Sequence, residues 1–177
     1  ALPIFACDLD DKDCKHILQV FKHLEHEIGI LKDIYDEHAG AQDRFLTTGR
    51  VTPDLAAQLG LTGLPGRASG QSWDLRAQFP CAPYDRLDVR MATHRNGDVA
   101  ARVTVRFEEV LESMRLIRLI LDQLPAGELR ATVGDAPENA LGLGWVEGWR
   151  GEILIALHTG KNNMIHRLHP HDPSWQN

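Results

Sequence analysis

The stretch that decides the fold is Leu61–Arg76, with the sequence LTGLPGRASGQSWDLR. Glycine has no Cβ, so a segment rich in glycine lets another part of the backbone approach closely. The stretch matches neither of the two glycine patterns that bind phosphate, which disfavours a nucleotide site. Its charged residues either bind an anion or pair with each other or with a neighbouring subunit. We therefore predict a glycine-rich connection whose charged groups are Arg67, Asp74 and Arg76.

Two apolar stripes, one on each side of this stretch, predict long helices. Both repeat in steps of four and three residues, which places each stripe on one helical face. Asp11 or Asp13 is expected to cap the first helix, and Asp98 the second. Matching stripes favour an antiparallel helical pair. The stripes are Ile17, Phe21, Leu24, Ile28, Leu31 and Tyr35, and then Val103, Phe107, Val110, Met114, Ile117, Leu121 and Leu124.

Between the two long helices, Thr52 followed by Pro53 is typical of a helix start, so a short helix is expected there. We therefore expect residues 1–60 to be helical, residues 61–97 to be a glycine-rich and irregular connection, and residues 98–125 to form the second long helix. Within the connection, the alternation at Leu87–Met91 predicts a short strand.

The pattern changes towards the C-terminus. Residues 129–144 are small and polar and predict a mobile loop. Gly151–His158 and Met164–His169 predict two strands joined by a turn, so we expect a hairpin over residues 145–170. The predicted fold class is α+β: two long antiparallel helices with short helices, plus a small C-terminal antiparallel β-hairpin or sheet.

Composition excludes several classes of function. The chain has 177 residues, a formal net charge of −6, 43% hydrophobic residues and 25% charged residues, which is ordinary for a globular protein. No lysine- and arginine-rich tract is present, so a nucleic-acid partner is not expected. No apolar run approaches the ~18 residues of a membrane span. A hydrolase is disfavoured because no G-x-S-x-G motif is present.

Metal sites are weakly indicated. The three cysteines, Cys7, Cys14 and Cys81, form no CxxC pair and are expected to be reduced thiols, with a disulfide or metal site from Cys7 and Cys14 as the alternative. The first long helix carries four histidines and the predicted hairpin end carries three more; a polar surface is the favoured interpretation for both groups, and a metal site the alternative. They are His16, His23, His26 and His38, and then His166, His169 and His171.

Short motifs in order over residues 44–175 resemble the large subunit of nickel–iron hydrogenases. They include Gly60–Gly63, Arg67–Gly70, Trp73–Arg76, Gly97–Arg102 and Asp172–Trp175. The chain looks most like the formate-hydrogenlyase type, which is similar to the quinone-site large subunit of respiratory complex I. We expect a central fragment of such a subunit.

The resemblance carries implications for cofactors, partners and location. In hydrogenases two CxxC pairs hold the nickel–iron centre, and this chain has neither, so we assign it no catalytic residue and no metal ligand. The parent protein is expected to hold the nickel–iron centre, if any, with an iron–sulfur cluster in a small partner subunit. Membrane subunits of the complex are further expected partners, and the location is the cytoplasmic, inner face of the membrane.

The resemblance implies a role beside the buried centre or at a subunit interface for Arg67, Asp74 and Arg76, without metal ligation. A loop-closing arginine–aspartate pair is the alternative for these residues. We expect a segment of an oxidoreductase large subunit that is not catalytic alone; the alternative is a metal-free structural or assembly module. As a fragment it should expose apolar surface, and we expect it to self-associate through the helix stripes or the hairpin edge.

Overall fold

The structure is a computed structural model that describes residues 8–127 and 134–176. Helices dominate up to residue 122, and a three-stranded antiparallel sheet of order β1-β2-β3 follows, so the α+β prediction is confirmed. The elements are α1 Asp11–Glu37, α2 Ala39–Phe45, α3 Pro53–Gln58, α4 Gly63–Ala68, α5 Leu75–Gln78, α6 Val99–Asp122, β1 Leu141–Gly148, β2 Gly151–Thr159 and β3 Ile165–His171, with 3₁₀ turns at Tyr84–Arg86, Lys161–Asn163 and Pro173–Gln176.

The two long helices, α1 and α6, pack against each other in opposite directions. At the middle of α1, Glu25 accepts a hydrogen bond from Arg118 at 2.6 Å. Near its end, the ring of Tyr35 lies 6.0 Å from the ring of Phe107. Contacts therefore move towards the start of α6 as the chain advances along α1, which confirms the predicted antiparallel pair.

The cap of α1 differs from the prediction. Asp10 caps the helix: its carboxylate accepts from the backbone N–H groups of Lys12 and Asp13, and the Asp13 side chain reaches back to the backbone of Asp10. This reciprocal arrangement satisfies more of the free N–H groups than Asp11 or Asp13 would from inside the first turn. Asp98 caps α6 as predicted, accepting from Ala101 at 2.8 Å.

The connection between the long helices is more ordered than predicted. Residues 61–97 contain α4 and α5, so the glycine-rich stretch is partly helical rather than a loop. Leu87–Met91 forms no strand, because among the described residues no neighbouring strand pairs with it. Glycine does not prevent helix α4 from forming, because the positive φ values occur at Gly63, the first residue of the helix, and at Gly70, two residues after its last.

The sheet begins earlier than predicted. Residues 141–144, expected to belong to a mobile loop, start β1, and residues 129–133 of that loop lie outside the described residues. β1 pairs with β2 from Leu141↔His158 to Gly148↔Gly151, so only Trp149 and Arg150 form the tip of this first hairpin. The predicted hairpin corresponds to β2 and β3, and Pro170 lies within β3 opposite Ile155 rather than ending it.

Small residues let α4 pack closely on α6. The core cluster consists of Leu64 and Ala68 on α4 with Ala101 and Val105 on α6. The segment before α6 is tied to α4 by backbone hydrogen bonds, from His94 to the carbonyl of Arg67 at 2.8 Å and from Gly97 to that of Ala68 at 2.9 Å. The glycine-rich stretch is therefore fixed on the first turns of α6.

Gly63 brings the sheet against α4. A Cβ at this position would lie 2.2 Å from the carbonyl oxygen of Arg150 and 2.4 Å from the Cα of Gly151, and the φ of Gly63 is +64°. The tip of the β1–β2 hairpin therefore touches the first residue of α4, as the glycine-rich sequence suggested.

None of the helices in the part of the chain that the structure describes is both long and apolar enough to cross a bilayer.

Replacing Gly63 by alanine should destabilise the chain, because a Cβ there meets backbone that cannot move away as a flexible side chain can. We expect Gly63→Ala to lower the free energy of unfolding by about 2 kcal/mol or more. Gly29→Ala is the matched control: it lies inside α1 with nothing within 4 Å of its Cβ position, and should raise stability by about 0.5–1 kcal/mol. Urea unfolding of both variants measures the difference, and equal midpoints would contradict the close contact.

Candidate functional site

A buried guanidinium lies at the centre of the candidate site. Arg67, on the last turn of α4, is 2% exposed. Its Nε donates to Glu109 of α6 at 2.6 Å, and its Nη1 donates to Glu147 of β1 at 2.9 Å and to the carbonyl of Trp73 at 3.1 Å. One side chain thus joins α4, α6, the sheet and the segment before α5.

A second ion pair lies beside it. Asp74 is fully buried and caps α5 by accepting from the backbone N–H of Arg76 at 2.9 Å. The guanidinium of Arg76 also donates two hydrogen bonds to this carboxylate, of 3.0 and 2.7 Å. The Nη1 of Arg67 lies 3.8 Å from Asp74. The two arginines therefore share one buried carboxylate.

Glu147 connects both pairs to the sheet. One of its oxygens accepts from Arg67, and the other accepts from the backbone N–H of Leu75 at 3.1 Å. We call Arg67, Asp74, Arg76, Glu109 and Glu147 the ion cluster. It holds two guanidiniums and three carboxylates, so its formal charge is −1 when all five groups are ionised.

The pKa directions follow from burial and pairing. Burial favours the neutral form of Asp74, but the hydrogen bonds and charge of Arg76 outweigh burial and lower the pKa of Asp74 below its ordinary value. For Arg67, burial is likewise outweighed by the hydrogen bonds to Glu147 and Glu109, which raise its pKa. The hydrogen bond to Asp74 raises the pKa of Arg76. All three groups stay charged at neutral pH.

An aromatic layer covers one side of the ion cluster. Glu152, at the start of β2, accepts hydrogen bonds from the indole N–H groups of Trp73 and Trp145, the latter at 3.2 Å. The ring of Phe79 lies 6.0 Å from that of Trp73 and 5.4 Å from that of Trp145. These contacts fasten the segment around α5 to β1 and β2.

One cavity adjoins the ion cluster, and a larger groove lies next to that cavity and shares Arg106 and Trp149 with it. The cavity, of about 290 Å³, is lined by Arg67, Arg76, Glu109, Glu147 and neighbouring residues. The groove, of about 910 Å³, runs between the α3–α4 connection and the hairpin tip. Its lining includes Leu61, Leu64, Pro65, Arg102, Arg106, Trp145, Trp149, Arg150 and Glu152.

The groove has a positive, aromatic wall. The guanidiniums of Arg106 and Arg150 lie 6.0 and 5.6 Å from the ring centre of Trp149, so the indole contacts two cations. Within residues 8–127 and 134–176, neither arginine forms a salt bridge. The groove therefore favours an anionic or electron-rich neighbour.

The three residues singled out from the sequence come together, and two of their partners were missed. Asp74–Arg76 is the loop-closing pair that was the alternative interpretation, while Arg67 pairs with Glu109 and Glu147, which the sequence did not indicate. The sequence signal for the hairpin that carries Glu147 is EGWRGE at residues 147–152, in which two glycines flank a two-residue loop, but this motif does not indicate the pairing with Arg67.

The other residues considered for metal binding are dispersed. Cys14 lies on α1 and Cys81 follows α5, and Cys7 lies outside the described residues. The rings of His158 and His166 meet edge to face at 5.0 Å. In the described parts of the chain, no group of three or more histidine, cysteine, aspartate or glutamate side chains has a metal-binding arrangement.

Comparisons with known proteins agree with the resemblance seen in the motifs. The profile of the family described as the 49-kDa subunit of respiratory-chain NADH dehydrogenase matches residues 5–143. The C/D protein of the NADH-quinone oxidoreductase of Bacteroides thetaiotaomicron is 32% identical over 92% of this chain and 31% of its own length. The carbon monoxide-induced hydrogenase of Rhodospirillum rubrum is 35% identical over 81% of this chain and 40% of its own length.

A solved structure shares the fold. A chain of the membrane-bound sulfane sulfur reductase, an archaeal respiratory membrane complex, superposes with a TM-score of 0.84 over 93% of this chain and 46% of its own length, at 23% identity. The predicted resemblance to hydrogenase and complex I large subunits is thus confirmed. The chain spans about a third of the length of the Bacteroides relative.

Removing the central guanidinium should be far more damaging than removing an exposed one. Arg67→Leu leaves buried carboxylates without their counter-charge, and we expect it to cost about 3–5 kcal/mol of unfolding free energy. Arg90→Leu is the control, because the Arg90 side chain is 69% exposed and should change stability by less than about 0.5 kcal/mol. Similar unfolding midpoints for the two variants in urea would show that the ion cluster does not hold the fold.

The lowered pKa of Asp74 predicts an acid-sensitive fold. A carboxylate whose pKa is lower when folded than when unfolded stabilises the fold above its unfolded pKa of about 3.9, and this contribution is lost as the pH falls through the folded pKa. Asp74→Asn should therefore lose less stability than the unaltered chain between pH 5 and about pH 2. Asp88→Asn, at a side chain 86% exposed, should keep the unaltered pH slope. Urea unfolding at each pH measures the free energy of unfolding of the three chains. Parallel curves of this free energy against pH would refute the stabilising role of the ionised Asp74.

Proposed function

Because the chain belongs to the family of the 49-kDa subunit of respiratory-chain NADH dehydrogenase, we propose that it is a segment of an oxidoreductase large subunit in a membrane-associated electron-transfer complex. Such a complex passes electrons between iron–sulfur clusters and either protons or quinone. The segment by itself would not be catalytic. Its place would be peripheral, on the cytoplasmic, inner face of the membrane.

The observation that carries this role is the position of the ion cluster behind the arginine-lined groove. Arg67 and Glu147 hold the hairpin tip in place from inside, while Trp149 and Arg150 at that tip face the groove. Arg67, Asp74 and Arg76 would therefore position the groove wall without touching a metal. The wall would lie against a small iron–sulfur subunit or beside the buried centre of the parent protein.

A nickel–iron centre does not fit the described residues. Such a centre takes clustered thiolate ligands, whereas Cys14 and Cys81 lie on separate elements and no metal-binding group is formed within residues 8–127 and 134–176. If the parent protein carries the centre, its ligands come from other residues. An iron–sulfur cluster in the partner subunit would supply one-electron transfer, and this segment would supply shape, charge and contact.

The alternative is a metal-free structural or assembly module of the same kind of complex. The large exposed apolar side chains fit this alternative as well as the first proposal, because they need covering by neighbours whether or not electrons pass nearby. Both candidates place the chain in the same assembly, and they differ in whether the groove wall affects turnover.

Measurements on the full-length parent protein, purified from its native host with its partner subunits, distinguish the two candidate functions. Nickel and iron analysis and assays of hydrogen and quinone turnover are made on the unaltered complex and on Arg67→Lys. Lysine keeps the charge but cannot bridge Glu109 and Glu147 in the same way. We expect iron and assembly to be retained and turnover to fall by about tenfold or more, because the groove wall shifts.

Arg90→Lys, at an exposed site, is the matched control and should leave turnover unchanged. An Arg67→Lys complex that assembles with unaltered iron and unaltered turnover would favour the assembly module instead. Nickel at about one per large subunit would assign the parent to the hydrogenases, and iron without nickel, together with quinone reduction, would assign it to the quinone-linked branch.

A further inference from the structure

Two histidines meet beside the turn between β2 and β3. The ring centres of His158, on β2, and His166, on β3, lie 5.0 Å apart, and the ring planes cross at 88°. His166 is exposed and His158 is partly exposed, so water reaches both rings. The pair lies near the start of β3, whereas His171 at the end of that strand lines the groove. The two histidines are therefore separate from the groove and from the ion cluster.

A β-bulge brings His166 to His158. The strand register pairs His158 with Arg167 and Thr159 with Ile165, so His166 is one extra residue in β3. Without the bulge, His166 and Arg167 would point to opposite faces of the sheet, and His166 would point away from His158. Bulges re-aim side chains in this way, often next to functional sites. Gly160 leaves room for the re-aimed residue, because a Cβ there would lie 3.3 Å from the Cβ of His166.

The separation of the two rings fits one shared metal ion. A zinc-bound imidazole nitrogen lies about 2.0–2.1 Å from the ion, which places each ring centre about 3.2 Å from it. With about 90–109° between the two bonds, the ring centres would be about 4.5–5.2 Å apart. The observed 5.0 Å falls in this range. Rotation about the bond between Cβ and the ring, which is loosely restricted in histidine, turns a nitrogen of each ring towards the ion.

The type of ligand determines which ions the pair favours. Imidazole suits Zn²⁺, Cu²⁺ and Ni²⁺, whereas Mg²⁺ and Ca²⁺ take oxygen ligands. Lys161 and Arg167 are exposed cations near the pair, and the carboxylate of Asp135, which accepts from Asn163 at 3.1 Å, only partly offsets them. An ion held mainly by charge is therefore disfavoured. In residues 8–127 and 134–176 no third histidine, cysteine or carboxylate joins the two rings, so water would complete the coordination.

We propose that His158 and His166 form a surface site for one divalent ion of the late first transition series, of which Zn²⁺ is the probe. Each histidine contributes one ring nitrogen, and the bound ion ties β3 to β2 at the bulge, where His166 has no partner in the strand register. The site shares no residue with the groove or the ion cluster, so it does not depend on the proposed electron-transfer role.

Histidine footprinting in the native complex tests the proposal. The full-length parent with its partner subunits is dialysed against EDTA and then treated briefly with diethylpyrocarbonate, which acylates free imidazole nitrogens. Peptide mass spectrometry gives the labelling rate of each histidine. At a Zn²⁺ concentration about ten times the dissociation constant, labelling of His158 and His166 should slow by about tenfold, because only the unbound fraction reacts. His169, an exposed histidine of the same strand, should label at an unaltered rate.

The same measurement with Mg²⁺ should protect neither histidine. Equal protection by Mg²⁺ and Zn²⁺, protection of His169 to the same extent as His158, or no protection by Zn²⁺ would overturn the proposal.

Variants then test whether the two histidines bind one ion together. His166→Ala should abolish the zinc protection of His158, since a single imidazole lacks the gain from a second linked ligand. His166→Cys supplies a thiolate, which is also a zinc ligand, and should restore the protection. His169→Ala is the matched control on the same strand and should leave it unchanged. Zinc protection of His158 that is equal in His166→Ala and His169→Ala would show that the two rings do not share an ion.

Discussion

One buried guanidinium constrains the arrangement of the whole chain. Arg67 is withdrawn from water on α4, and a bare charge there would be prohibitive. The carboxylates that neutralise it come from α6 and β1, that is, from Glu109 and Glu147, and a third, Asp74, lies within 4 Å. The burial of Arg67 therefore depends on the glycine-rich stretch, the second long helix and the sheet being in place together. Buried ion pairs of this kind add little net stability compared with apolar packing, but they penalise every arrangement in which a partner is displaced.

Glycines make that arrangement geometrically possible. Arg67 can reach Glu147 only if the β1–β2 hairpin packs against α4. This packing requires glycine at position 63, because the carbonyl of Arg150 occupies the space that a side chain there would need. The charge requirement and the close approach are thus satisfied by the same short segment. The small residues Ala68 and Ala101 have a parallel effect between α4 and α6, since they let the helices approach closely enough for the Arg67–Glu109 bond of 2.6 Å.

Local patterns predicted the parts of the structure that depend on local physics. The helices α1 and α6, the caps at Thr52 and Asp98, and the strand at residues 151–158 were visible because side-chain periodicity and capping act over a few residues. The predicted stripe of α1 was only partly right, because Leu24 and Leu31 are exposed rather than packed on α6. Glu109 and Glu147 could not be assigned to Arg67, because they lie 42 and 80 residues away and only the tertiary fold brings them together. The strand β1 was missed because its glycines and small residues weaken the β pattern, and its strand character comes from pairing with β2. The family motifs singled out Arg67, Asp74 and Arg76 as candidate site residues, which side-chain periodicity could not do.

The two sides of the molecule are built for different neighbours. On the side of the groove, cations and indoles surround a space whose wall is connected to the ion cluster through Glu147 and the hairpin tip, and this surface favours an anionic or electron-rich neighbour. On the other side, α1 exposes aliphatic side chains such as Leu31 and Ile34, which need an apolar neighbour. α6 lies between these two sides: it contacts α1 through Phe107 and Arg118 and the ion cluster through Glu109. A displacement of α6 would therefore move the groove wall, so the packing of α1 on α6 also helps to fix the position of Arg67.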